Sequence, residues 1–129
     1  MRWPACLAIV ALLALPLSCI APGDPYARDN PYDLNYGRFL LLWEFYSPGV
    51  VKLTWNPPVD SQDGDQAVVF FDDELDGDFV ERAVLDIRAG AYIDGANELA
   101  PGAERDYLIG VRRNGDPVPG TSNWVRVKR

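Results

Sequence analysis

Apolar residues fall into two regimes along this chain. Before Cys19 they run almost unbroken: Cys6 to Leu15 is a continuous apolar block behind a single basic residue, Arg2. From about residue 38 they come instead in short runs separated by turn residues. Val51, Leu53 and Trp55 alternate with Lys52 and Thr54, which gives one buried and one wet face of a strand. The same reading predicts strands over Phe39–Tyr46, Val50–Trp55, Ala67–Phe71, Phe79–Ile87, Ala91–Ile93, Tyr107–Val111 and Asn123–Lys128. Ser47-Pro48-Gly49, Asn56-Pro57-Pro58 and Asp76-Gly77 punctuate them, and Asn114-Gly115 with Pro117 and Pro119 makes a further loop. Phe79–Ile87 competes as a helix, but its β-branched and aromatic content favours strand. About seven short strands at this spacing predict an all-β, antiparallel sandwich.

Residues 20 to about 36 have no apolar period. They carry two similar units, Asp24-Pro25-Tyr26 and Asn30-Pro31-Tyr32, in which proline removes a backbone donor. The chain thus divides into residues 1–18, a Pro/Asp/Tyr-rich stretch over 19–37 and a domain over 38–129. The middle stretch reads as a spacer. A second reading makes Tyr26, Tyr32 and Tyr36 a sticky strip that docks on a partner or on the domain.

The first block is too short for a bilayer span of roughly 20 residues, and Pro16 interrupts it. Its length and its Arg2 fit an export signal. With Ser18 before Cys19, it resembles the signal of a bacterial lipoprotein, although Pro16 stands where that family usually has an aliphatic residue. The resemblance implies cleavage before Cys19, lipid on the Cys19 thiol (palmitate among the acyl chains) and a place in the cell envelope. Ile20, in place of the Asp that retains enteric lipoproteins, implies the outer rather than the inner membrane. Plain secretion is the alternative.

Cys6 lies inside the signal, so the remaining 111 residues would keep one Cys and form no disulfide. All 19 acidic residues lie after Cys19 and only Arg2 lies before it, so the net charge of that portion is −8. Such a balance argues against nucleic acid as a partner and against a basic lipid-binding patch.

Val51-Lys52-Leu53-Thr54-Trp55-Asn56-Pro57-Pro58 resembles the second strand of a fibronectin type III domain. Tyr92-Ile93-Asp94 is similar to its fifth strand. Leu99-Ala100-Pro101-Gly102 followed by Tyr107-Leu108-Ile109-Gly110-Val111 is similar to its Leu-x-Pro-Gly corner and sixth strand. The resemblance covers about Phe39 to Lys128 and implies an immunoglobulin-like sandwich. Two departures stand out. Four residues separate Gly102 from Tyr107 where the family has about two, and the third and fourth strands are joined by an unusually acidic stretch.

The chain has no His, which removes the usual general base and the commonest transition-metal ligand. Ser47, Ser61 and Ser122 have no imidazole to activate them, so no catalytic residue is assigned and no enzyme is expected. Asp72, Glu74, Asp76 and Asp78 take alternate positions around Gly77 in a calcium-loop-like frame, but Ala83 stands where the frame needs a bidentate Glu. Calcium is therefore the cofactor to consider. The competing reading of these acids, and of Asp60 to Asp65, is a solvated hairpin tip. Arg113-Asn114-Gly115-Asp116 reads as a turn. Trp124 alternates away from Val125 and Val127, sharing a face with Arg126 and Lys128, so Trp124 and Arg126 are candidate contact residues. The expected role is non-enzymatic binding or scaffolding of an envelope protein partner. A carbohydrate-binding or enzyme-accessory module is the alternative.

Overall fold

In a computed structural model, residues 37–129 are described. Cys19, the signal segment and Tyr26, Tyr32 and Tyr36 lie outside the described residues.

Eight strands form: β1 (Leu41–Ser47), β2 (Val50–Trp55), β3 (Gln66–Asp72), β4 (Val80–Asp86), β5 (Ala91–Asp94), β6 (Glu104–Arg113), β7 (Asp116–Thr121) and β8 (Val125–Lys128). A 3-10 turn, Ile87–Ala89, follows β4. The named strands pair antiparallel in two sheets. One has three strands in the order β1-β2-β5. The other has the order β4-β3-β6-β7, with β8 continuing alongside β6. The molecule is thus an all-β antiparallel sandwich.

Alternation explains the core. Leu41 of β1, Val51, Leu53 and Trp55 of β2, Ala67 and Val69 of β3, Tyr107, Ile109 and Val111 of β6 and Val127 of β8 all point between the sheets and are buried. Trp55 donates its indole N–H to the Ile87 carbonyl at 2.9 Å, which lets the ring sit buried with its polar atom satisfied. The β1–β2 turn, Pro48-Gly49, places Gly49 at φ 77°. A Cβ there would approach the Leu99 carbonyl oxygen to 2.7 Å, so that turn requires glycine.

Several elements differ from the sequence expectation. The first strand begins at Leu41, because Arg38 and Phe39 run instead beside the end of β7: the Arg38 amide donates to Thr121 O at 2.7 Å and Phe39 bridges Ser122 in parallel. Phe79–Ile87 does form a strand, trimmed to Val80–Asp86. Asp76-Gly77 is no two-residue turn; it lies within a seven-residue connection, 73–79. The expected loop around Pro117 and Pro119 is β7. The turn before it is a two-residue loop with Asn114 at φ 53° and Gly115 at φ 84°, the type I′ geometry of tight hairpins. In the ladder it starts, Asp116 and Val118 face β6, while Pro117 and Pro119 have the opposite parity and need no donor toward it. The last strand starts at Val125, not Asn123, and β7 makes the count eight rather than seven.

Candidate binding surfaces

The outward face of the three-stranded sheet is unusually apolar. Because Leu41 and Trp43 turn inward, Leu42 turns outward with Glu44 and Tyr46, and Leu40 precedes them. Leu40 is 59% exposed, Leu42 55%, Tyr46 64% and, on β5, Ile93 41%. The charges on this face cancel, since Glu44 lies opposite Lys52 in the register. Leu40, Leu42, Thr54, Trp55 and Asn56 line a shallow depression at one end of it. The signal for this surface was present in Phe39–Tyr46, which is apolar at both parities although β1 is an edge strand.

That edge is half closed by one side chain. The Leu41 amide donates to Asn123 Oδ1 at 2.8 Å, and Asn123 Nδ2 donates back to Leu41 O at 3.2 Å. A carboxamide here replaces a neighbouring strand. Trp43 and Phe45 share Leu41's backbone direction further along, where no described strand pairs with the edge.

Trp124 and Arg126 come together on the outward face of the five-stranded sheet. The Arg126 guanidinium sits 5.4 Å from the Trp124 ring centroid and forks onto the buried Asp106 carboxylate at 2.9 and 3.1 Å. The Asp106 hydrogen bond raises the Arg126 pKa. Trp124 is half-buried against Val68, Phe70 and Leu108, and Phe79 packs on the same cluster.

The four acids of the calcium frame are not gathered round one point. Asp72 is buried and turned into its own loop: Oδ1 accepts from the amides of Glu74 and Leu75 at 3.0 Å, and Oδ2 from Gly77 at 2.8 Å. Amide hydrogens converging on a carboxylate present positive potential, the opposite of a cation cage. Asp76 accepts from the Asp78 amide at 2.9 Å. Among the described residues no cluster of three or more His, Cys, Asp or Glu groups is placed to hold a metal ion.

Asp65, at the end of the second acidic turn, is also inward. It accepts both arms of Arg113 at 2.7 and 2.8 Å and the Gln62 amide at 2.9 Å. The Arg113 hydrogen bonds outweigh desolvation and hold its carboxyl at about 2. Arg113-Asn114-Gly115-Asp116 is therefore a hairpin turn with its arginine directed to the domain.

Sequence reasoning missed the largest polar network. Asp94 of β5 is fully buried between the sheets. It accepts from Arg82 Nε and Nη2 at 2.9 and 2.7 Å and from the Tyr107 hydroxyl, with Arg105 Nη1 at 3.4 Å. Arg105 also donates to Asp73, to Asn97 O at 3.0 Å and to the Tyr107 oxygen at 3.2 Å. Arg82 and Arg105 both lie over the Phe71 ring, at 4.9 and 5.6 Å. Burial, then the Asp94 carboxylate, push the Tyr107 phenol far above its ordinary value. The network joins β5 to β4 and β6 and binds the two sheets at one end.

Among the described residues no helix is long and apolar enough to cross a membrane. Compared with known proteins, the chain matches no family model and no curated protein.

Proposed function

We propose that this chain is a lipid-anchored protein of the bacterial cell envelope whose fibronectin type III-like domain binds a protein partner without catalysis. Strand order supports the domain assignment. β4 hydrogen-bonds to β3 in the larger sheet, whereas in constant-type immunoglobulin domains the fourth strand joins the other sheet. The corner after Leu99-Ala100-Pro101-Gly102 departs from the family by a substitution. The family's spacing of about two residues past the glycine falls on Arg105, whose buried guanidinium contacts Asp94 and Tyr107 where a tyrosine corner would sit.

The observation that carries the binding role is the exposed row Leu40, Leu42, Tyr46 and Ile93 on an otherwise charge-balanced sheet face. Large apolar side chains exposed together on one sheet face mark a contact site. It favours protein over glycan, because sugars stack on rows of aromatic rings and this row holds a single one, Tyr46. The anchor would be Cys19, with calcium at Asp72 to Asp78 unsupported by the loop's geometry.

The test is retention of envelope proteins on the immobilised wild type, compared with Leu42→Glu and a control, Lys128→Glu. Retention lost in Leu42→Glu alone is the expected result. Retention by glycan or peptidoglycan only, or equal retention by both variants, would defeat the protein-partner reading. For the anchor, labelled fatty acid should enter the wild type and not Cys19→Ala.

A further inference from the structure

The outward face of the five-stranded sheet is buried more deeply than a two-layer sandwich explains. Val68 and Leu108 point away from the interior and are fully buried there, and Phe70 nearly so. Between them in the register lies Gly110, opposite Val68 on one side and Thr121 on the other, and it too is buried. Gly110 sits where the β6–β7 ladder shifts register, and its missing Cβ also leaves room for another backbone to come close. Trp124 and Phe79 pack against this apolar strip.

We propose that this strip is the seat of residues 20–36 of the same chain. The position of residue 37 is the first reason. Arg38 donates to Thr121 O, and Thr121 pairs with Gly110, so the preceding chain starts at the β7 edge, two strand spacings from the glycine. Length is the second. Seventeen residues can extend about 55 Å, and crossing from β7 to β4 needs only about 15 Å. Chemistry is the third. Pro22, Pro25 and Pro31 lack backbone donors, so this stretch suits a sheet face rather than a sheet edge. Tyr26, Tyr32 and Tyr36 match the rings of Phe70, Phe79 and Trp124. The spacer is then a third layer of the domain. The opposite, three-stranded face stays open, and the seat does not depend on what that face binds.

A photo-reactive phenylalanine analogue at Tyr32 of the full-length chain tests the placement. Irradiation should give monomer-mass product linked to peptides carrying Phe70, Leu108–Gly110 or Trp124. Links to β1, β2 or β5, links only between two copies, or no link would each overturn the proposal. Trypsin supplies an independent measure at Arg28. Cleavage there should be at least tenfold slower than in a free peptide of residues 24–36, and Gly110→Val should restore the peptide rate. If Gly110→Val does not fold, Trp124→Ala takes its place, checked by circular dichroism. Cleavage of the wild type at the peptide rate would also overturn the seat.

Discussion

Asp65 keeps its charge inside the protein because three donors meet it. Its carboxyl is held at about 2 against an ordinary 3.8, so between those values the unfolded chain binds the proton and the folded chain does not. The contribution is therefore complete above pH 3.8 and lost as pH falls through 2. Asp65→Asn should cost about 1.5–3 kcal/mol at pH 7. The gap between variant and wild type in urea unfolding should narrow as pH falls toward 2. A gap that stays constant from pH 7 to pH 2 would refute this account. Asp72 works by the same means on a local scale. Asp72→Ala leaves the amides of Glu74, Leu75 and Gly77 without their acceptor, and should cost about 1–3 kcal/mol. Wild-type melting should be the same in calcium and in chelator; a rise with calcium would restore the cation reading. Neither role could be read from the sequence. A run of acids at alternate positions looks the same whether it faces a cation or its own amides, and Asp65 finds Arg113 from 48 positions away.

At the scale of elements, alternation carried most of the fold. β2 has the residues expected of it, and β6 extends a run whose inward face, Tyr107, Ile109 and Val111, was legible from period two. Two kinds of element escaped it. β7 looked like a loop because prolines were weighed as breakers, whereas an edge strand needs donors at only every second residue. β1 starts later than its apolar run because Phe39 bridges Ser122, and Asn123, a side chain 82 positions away, supplies Leu41's partner. That residue has a testable job. Asn123→Ala leaves the Leu41 amide and carbonyl unpaired and lengthens the open edge beside Trp43 and Phe45. The expected loss is about 1–2 kcal/mol of stability, together with concentration-dependent association in sedimentation velocity that the wild type lacks. A destabilised but strictly monomeric variant would limit Asn123 to holding the strand.

Across the whole molecule, the two sheets are joined at one end by ions rather than by apolar packing. Asp94 lies fully buried between Arg82 and Arg105, whose side chains are only 13% and 6% exposed. Burial opposes both guanidinium charges, yet the hydrogen bonds they donate to Asp94, Asp73 and Tyr107 outweigh it and leave both pKa values raised. Such a network is costly to break and not necessarily stabilising to own. Asp94→Ala takes the carboxylate from the Arg82 guanidinium and the Tyr107 phenol in the interior, while Arg105 keeps Asp73, and should cost about 3–5 kcal/mol. Replacing the set together, with Arg82→Met, Asp94→Leu, Arg105→Met and Tyr107→Phe, removes the buried charges together and leaves only the half-exposed Asp73 without its arginine. That variant should regain most of the loss in urea unfolding, while apolar side chains allow the sheets more than one relative setting. Broadened amide resonances from β4 and β5 would report that added freedom. If the four-residue variant is as unstable as Asp94→Ala, the ions supply net stability. If it is stable and its resonances stay sharp, the sheet angle is set by the hydrophobic core alone. The expected middle result assigns the network to specificity: Asp94 selects one docking of β5 on β4 and β6, and so fixes the outward angle at which Leu42, Tyr46 and Ile93 are presented.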